Sequence, residues 1–506
     1  MNIFFRTDSS LQIGSGHVMR CLTLADELRQ RGADVTFICR EHHGNLIAMI
    51  EGRGYEVVSL PLPVVSLKSE NERLIHAEWL GATWEQDAVE TIAALSGARA
   101  QWMIVDHYAI DRRWEEQLRL YCDKIMVIDD IADRSHDCEL LLDQNFYLTM
   151  ESRYENLVPA ACCRLLGPKY SLLRPQFASA RRNLRQRDGH VGRVLVCFGG
   201  ADSSNEMEKS LRALAAFSER KFEVDVVVSA VSASLERIQS ICADNAGFHC
   251  HCQVDNMAEL MVAADIAIGA GGSITWERCA MGLPALIVTV AANQLELASC
   301  AAEGGLVYYL GDKDAVTSKK IEDTLAMLMA LPELLRCFSA NGLALVDARG
   351  AQRVAGILLP PAITVRKAGQ SDCDSIYEWR NAEETRRHIF DKTVIPIENH
   401  RIWFQNTLTN PDRILLIGEN AGRPVGVLRY DLTDDKALVS VYLVPGGQGQ
   451  GVGTELIRCG SRWLKENRPE IKVINAEIMN SNVASLRAFE QAGYQEHHVT
   501  YQEVLQ

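Results

Sequence analysis

The sequence predicts an α/β protein made of two Rossmann-type domains followed by a third, smaller α/β domain. Three observations predict it. From Met1 to about Leu142, short apolar runs alternate with amphipathic helical stretches. A second alternating series follows the basic, loop-like stretch SARRNLRQRDGHVG. The pattern then breaks at LLPPAITVRKAG, where Pro360 and Pro361 can neither continue a helix nor join a central strand. Strands and helices that alternate in this way imply parallel sheets with right-handed crossovers, and ligands collect at the carboxyl ends of such strands. A chain of 506 residues holds about three domains of ordinary size. The expected boundaries are 1–155, 156–358 and 363–506.

In the first series, NIFF, DVTFIC, YEVVSL, WMIVDHY and KIMVIDD read as strands, and HVMRCLTLADELRQRG and RRWEEQLRLYC read as amphipathic helices, the first closed by Gly32. In the second series the strands are RVLVCFGG, FEVDVVVSA, GFHCHCQV, ADIAIGAGG, PALIVTV and GLVYYL. Two such halves leave a cleft between them. In the third domain, VSVYLVPGGQGQGVGTELIRCGSRWLKE begins as a strand and ends as a helix.

Composition narrows the function classes. The chain is 47% hydrophobic and 23% charged, which suits a globular protein. A formal net charge of −14 argues against a duplex nucleic-acid partner, which needs a basic face to displace counterions. Small anions stay accessible, because a nest of amides holds them whatever the net charge. Arg6 and Asp8 interrupt an opening apolar run that is too short for a signal or a membrane span, so the expected location is cytoplasmic, with no membrane partner. The 15 cysteines are scattered, and Cys39 in VTFIC and Cys197 in RVLVCF read as buried reduced thiols. Along a strand, His249 and His251 face away from Cys250 and Cys252, so no zinc site, and no metal elsewhere, is expected.

The candidate chemistry begins at GSGHVMRC. Gly14 and Gly16 permit a tight turn after the first strand, and His17 then stands at the electropositive start of a helix. Such a place suits an anion and a base beside it; the alternative is a histidine that serves as a structural cap. In AIGAGGSITWERC, Gly269, Gly271, Gly272 and Ser273 lie between a strand and a helix, where bare amides can cradle a diphosphate. Glu277 lies a turn into that helix, placed to accept from ribose hydroxyls. Gly199 and Gly200 in CFGGAD end another strand of the same domain. These glycines also fit a reading as plain tight turns. Asp106 and His107 read as a strand end holding its loop, and Asp129 and Asp130 as structural, since neighbours on a strand point to opposite faces.

FRTDSSLQIGSGHVMRC, VDHYAID, LLGPKYSLLRPQF, CFGGAD, NMAELMVAADIAIGAGGSITWERCAMGLPALIV and the pair Asn293–Gln294 together resemble the PseG-type UDP-sugar hydrolases of pseudaminic acid biosynthesis. The resemblance spans residues 1 to about 355. It implies a glycosyltransferase-B-like fold related to MurG, and hydrolysis of UDP-2,4-diacetamido-2,4,6-trideoxy-β-L-altropyranose to UDP and free sugar. His17 would be the general base that activates water for inverting attack, a task that suits a neutral imidazole. Tyr108 and Asn293 would position water or sugar, and the amides beside Gly271 and Gly272 would stabilise the departing diphosphate without a metal.

In the third domain, Gln448, Gly449, Gln450, Gly451, Val452 and Gly453 resemble the pyrophosphate-binding turn of the GNAT acetyltransferases, with acetyl-CoA as cosubstrate. NSNVASLRAFEQAGY resembles that family's second signature, with Asn482 and Ser485 near the CoA arm. Where many members carry a tyrosine acid this chain has Phe489; Tyr494 and Tyr501 are substitute acids and Glu477 a candidate base. YEWRNAEETRRHIF, residues 377–390, resembles the opening helix of sugar-amine acetyltransferases. Since a PseH-type GNAT enzyme acetylates the UDP-linked 4-amino sugar just before the hydrolase acts, the resemblance implies a bifunctional chain. The alternatives are a MurG-like glycosyltransferase fused to an unrelated acetyltransferase, or an inactive CoA-binding module.

Overall fold

The computed structural model describes residues 1–63, 74–199, 202, 204–217, 220–230, 232–447 and 451–497. Gly200, Gln448, Gly449, Gln450 and Tyr501 lie outside the described residues. The chain forms two compact units, Met1–Ala351 and Gln352–Gln506.

The first unit holds two parallel sheets. One comprises β1 (Asn2–Thr7), β2 (Asp34–Arg40), β3 (Glu56–Leu60), β4 (Trp102–Asp106), β5 (Ile125–Ile128), β6 (Leu140–Asp143) and β7 (Cys163–Leu166), in the order β3-β2-β1-β4-β5-β6-β7. The other comprises β8 (Arg193–Cys197), β9 (Glu223–Val228), β10 (Phe248–Cys252), β11 (Ile266–Ala270), β12 (Ala285–Thr289) and β13 (Tyr308–Asp312), in the order β10-β9-β8-β11-β12-β13. Strand order reverses between β1 and β4 in one sheet and between β8 and β11 in the other. A crevice therefore opens at the carboxyl ends of those strands.

Local sequence accounts for these elements. Every residue of β4, β5, β11 and β12 is buried, the near-continuous apolar run of a strand covered on both faces. The first helix, α1 (Gly16–Gln30), turns Val18, Cys21, Leu22, Ala25 and Leu28 into the core, a stripe at helical spacing. It ends where Gly32 takes φ +86°, a conformation that L side chains rarely adopt.

All eleven strands read from the first two sequence series are present. The structure adds β6 and β7, whose four-residue runs LLLD and CRLL carry no legible period. Because β7 pairs in parallel with β6, the first sheet reaches Leu166 and so passes the expected boundary at 155. The second unit starts at Gln352, inside the helix Gly350–Leu358, rather than after the prolines.

In the second unit, β14 (Ile363–Lys367), β15 (Arg413–Asn420), β16 (Arg423–Thr433) and β17 (Lys436–Leu443) pair antiparallel, and β18 (Val473–Ala476) joins β17 in parallel. The helix Val452–Asn467 covers one face, packing Leu456 and Ile457 with Leu416, Leu428 and Val439. It approaches closely because Gly460 has no side chain: a Cβ there would stand 2.5 Å from Leu428 Cδ1. The helices Cys373–Asn381 and Ile397–Thr409 cover the other face, with Ile376 and Phe404 buried beside Leu415, Ile417 and Val427. The last β17–β18 pair is Val439 with Ala476, although β17 runs on to Leu443, so the two strands part beyond that point.

Candidate active sites

A cavity of about 580 Å³ lies between the two sheets of the first unit and draws its wall from both. On the first-sheet side, His17 sits one residue into α1, whose N-cap Ser15 makes no side-chain capping bond. The first-turn amides therefore keep their electropositive character. His17 Nδ1 stands 2.5 Å from Asp106 Oδ1, at the carboxyl end of β4. Arg20, one turn along α1, donates from Nε to Asp106 Oδ2 at 2.6 Å and from Nη2 to Oδ1 at 2.7 Å. Its Nη1 reaches Asp130 Oδ2 at 2.9 Å.

This geometry sets the protonation pattern. Burial alone would raise the Asp106 pKa, but Arg20 and His17 outweigh it and hold the carboxyl well below the usual range. An ionised Asp106 is an acceptor for His17 Nδ1, which leaves Nε2 as the nitrogen turned away from the carboxylate. The Tyr108 ring packs edge-on at 4.7 Å from the His17 ring, and its hydroxyl donates to Asp130 Oδ1. Burial pushes that phenol well above its ordinary pKa, with Asp130 adding to the effect, so it stays neutral.

On the second-sheet side, Gly199, Gly272, Ser273, Glu277, Asn293 and Gln294 reach the wall. Gly199 has φ +81°, with open space where a Cβ would stand. Burial raises the Glu277 pKa, while Arg174, at 3.4 Å, works against that. Gln294 Oε1 accepts from Val290 N at 3.1 Å and braces the turn that carries Asn293. Among the predicted residues Gly16, His17 and Tyr108 also line the cavity, whereas Gly14 and Gly271 do not. Gly14 makes the turn, donating its amide to Ser10 O at 2.9 Å. Gly271 is a packing glycine: a Cβ there would meet Ile287 Cγ2 at 2.9 Å and Ala298 Cβ at 3.3 Å.

Sequence reasoning missed Arg20, Asp106 and Trp79. Asp106 was assigned to its own loop, yet its carboxylate orients His17. The spacing of His17 and Arg20, three apart on a helix, held a signal. Asp106 gave none, because adjacency of β1 and β4 is a tertiary fact. Asp129 and Asp130 do diverge as expected. Asp129 turns inward to Arg134 at 2.9 Å, and Asp130 turns to the cavity.

The second unit has its own cavity, of about 370 Å³, opening where β17 and β18 part. Ser440 and Tyr442 line it from β17, Glu477 and Met479 from the segment just after β18, and Arg380 and His400 from the helices above. Asn482 and Ser485 are on its wall, but Asn482 caps its own helix by accepting from Ser485 N at 3.1 Å and donates to His388 O at 3.3 Å. Phe489 is on the wall too. Tyr494 is not: its hydroxyl shares a hydrogen bond with Ser461 at 3.0 Å, and its ring packs on Phe489. As a substitute acid it is misplaced. Gly451 begins the helix Val452–Asn467 with φ +74°, and a Cβ there would stand 3.0 Å from Gly356 O. The Val452 side chain is buried in the core beneath that helix, which leaves its backbone as the part facing the turn; Gly453 follows within the helix. None of these three lines the cavity.

Two α/β halves that enclose a cavity, followed by a sheet that splays open, define a glycosyltransferase-B-like pair joined to an acyltransferase-type domain. Acinetobacter baumannii MurG has that first fold: its crystal structure matches with TM-score 0.50 and 14% identity over 71% of this chain and 98% of its own. Residues 373–494 match the acetyltransferase (GNAT) family. The UDP-2,4-diacetamido-2,4,6-trideoxy-beta-L-altropyranose hydrolase of Campylobacter jejuni is 28% identical over 306 residues, 60% of this chain and 97% of that enzyme. An uncharacterized protein of Methanocaldococcus jannaschii is 21% identical over 517 residues, 98% of this chain and 96% of its own. This chain thus joins a region homologous to a UDP-sugar hydrolase to a C-terminal GNAT acetyltransferase domain. Among the described residues no helix is long and apolar enough to cross a membrane, and no cluster of three or more histidine, cysteine or acidic side chains is arranged to hold a metal.

Proposed function

We propose that the first unit hydrolyses UDP-2,4-diacetamido-2,4,6-trideoxy-β-L-altropyranose to UDP and the free sugar, and that the second N-acetylates the preceding UDP-linked 4-amino sugar from acetyl-CoA. The observation that carries the hydrolytic reading is the 2.5 Å contact of His17 Nδ1 with Asp106 at the wall of a cavity shared with the glycine turns of the second sheet.

In this reading His17 Nε2 takes a proton from water as the water oxygen bonds to the anomeric carbon. The bond from that carbon to the diphosphate oxygen breaks on the opposite face, and UDP leaves with the electron pair. Asp106 fixes the ring's tautomer and stabilises the imidazolium as it forms. Amides at Gly199, Gly272 and Ser273 offset the charge that develops on the leaving diphosphate. Glu277 would accept from ribose hydroxyls, and Asn293 would hold water or sugar.

In the second unit, the amides of the turn ending at Gly451, Val452 and Gly453 would hold the pyrophosphate of acetyl-CoA, and the parted strands would receive its pantetheine arm. In this reading the amine nitrogen attacks the thioester carbonyl, Glu477 takes the amine proton, and the carbon–sulfur bond breaks with its electron pair leaving on the CoA thiolate, which takes a proton from solvent. The reading is tested by incubating the purified chain with the diacetamido nucleotide sugar and no acceptor. Equal release of UDP and reducing sugar is expected. Release only when an acceptor is added would favour a MurG-like transferase. The companion assay supplies acetyl-CoA and the UDP-linked 4-amino sugar and measures free thiol.

A further inference from the structure

The first-unit cavity carries its tryptophan and tyrosine, Trp79 and Tyr108, on the His17 side. On the second-sheet side it presents glycine amides, Ser229, Ser273, Asn293 and Gln294 among the aliphatic Val227, Val228, Val254 and Leu297. Around His17 it carries Ile13, Met19, Trp79, Tyr108 and Ile131, with Ser15 and Thr23 beside them. The larger polar groups there already have partners, and Thr23 donates to Met19 O. Arg20 is spent on Asp106 and Asp130, and the Tyr108 hydroxyl on Asp130. A hydroxyl-rich sugar placed there would bury groups that find few partners, at a cost in binding.

The central panel of this wall is Trp79. Its ring lies nearly parallel to that of Tyr108, at 24° and 5.7 Å, and edge-on to His17 at 6.5 Å. His76 packs against both, at 4.4 Å from Trp79 and 5.3 Å from Tyr108. The panel is anchored by the residues that follow it. Leu80 next to it is 1% exposed. Gly81 follows with φ +69°, so close to the neighbouring loop that a Cβ would fall 2.6 Å from His42 Cε1 and 3.2 Å from Arg40 Cδ. A rigid indole beside the base is therefore a built surface.

We infer that Trp79 is the sugar-binding platform of this site, and that it selects sugars poor in hydroxyls, with deoxy carbons and acylated amines, over ordinary hydroxylated hexoses. The inference rests on the hydrolytic reading and adds to it the residue that sets sugar class. An apolar wall rejects an added hydroxyl by about 100-fold at most, so the preference should be graded rather than absolute.

Steady-state hydrolysis by the full chain, its Trp79→Ala variant and its Trp79→Phe variant tests this, with the diacetamido-trideoxy nucleotide sugar and UDP-N-acetylglucosamine as substrates and UDP as inhibitor. Trp79→Ala is expected to raise KM for the trideoxy substrate about tenfold and to shrink its advantage over UDP-N-acetylglucosamine. The UDP inhibition constant should stay within about twofold, and Trp79→Phe should recover most of the loss. An unchanged KM, or a UDP constant that rises in step, overturns the proposal. If the wild-type chain hydrolyses neither substrate, the hydrolytic reading fails separately. Calorimetric binding of the same two nucleotide sugars then decides the platform: a preference lost in Trp79→Ala supports it, and equal affinities in the wild type overturn it.

Discussion

Asp106 Oδ1 lies 2.5 Å from His17 Nδ1, so the carboxylate at the end of one strand holds one ring nitrogen of a helix-borne histidine and leaves the other free of it. His17→Ala should abolish UDP release and leave UDP binding nearly intact. Asp106→Asn should lower kcat by roughly 10²- to 10⁴-fold, with the UDP inhibition constant little changed. Product release assays with UDP titrations check both, and near-normal turnover in either variant would remove the role assigned to it.

Acid should unfold the first unit through its buried carboxylates. For Asp8, Asp87 and Asp106, burial opposes ionisation, but neighbouring guanidiniums and imidazoles win and hold all three below the ordinary range. Depressed folded-state values mean that this stability is fully present above the unfolded carboxylate pKa of about 4 and is lost as pH falls toward the folded values. Thermal midpoints measured from pH 7 down to pH 3 should drop steeply below about pH 4, and less steeply in Asp106→Asn.

Asp87 joins two buried arginines: Arg6 Nη2 at 2.6 Å and Arg40 Nη2 at 2.7 Å, with all three side chains 0% exposed. Asp87→Ala would leave both guanidiniums short of their shared counter-charge. A loss of about 3–5 kcal/mol is expected in denaturant unfolding of the first unit. A change under about 1 kcal/mol would show that the remaining partners, Asp8 and Glu90, suffice.

For acetyl transfer, position separates the candidates. Glu477 lines the second cavity, whereas Tyr494 bonds Ser461 away from it. Glu477→Gln should reduce acetylation at least about tenfold, with a change in its pH profile, and Tyr494→Phe should leave the rate within about twofold. The reverse pattern would restore Tyr494 as the acid.

Gly451 is required by its backbone as well as by its place in the turn. Gly451→Ala should raise the acetyl-CoA KM and cost about 1 kcal/mol or more, because φ +74° strains a side chain. Hydrolysis by the first unit should not change. Equal effects on both activities would argue against the turn as the cosubstrate site.

How much was legible differs by element. The strands of the first two series were readable because buried parallel strands are continuous apolar runs, and the start of α1 because a glycine turn precedes a 3.6-residue stripe. LLLD and CRLL were not, since four residues carry no period and only pairing with a neighbour makes them strands. Gly272 and Gly271 look alike in sequence, yet one faces the cavity and the other packs on Ile287. Phe489 was read as the place of a missing acid, and the structure seats it on the cavity wall with Tyr494 behind it.

By itself, the sequence determined the order of the α/β units, the glycine turns and the histidine that opens the first helix, because backbone conformation and hydrophobic period are local properties. Only the tertiary structure decided that Asp106 meets His17, that Arg20 is spent on two carboxylates, and that Trp79 stands beside His17. Each of these is a meeting of side chains many residues apart in sequence. Strand order in the sheet brings such groups together, and no local pattern records it.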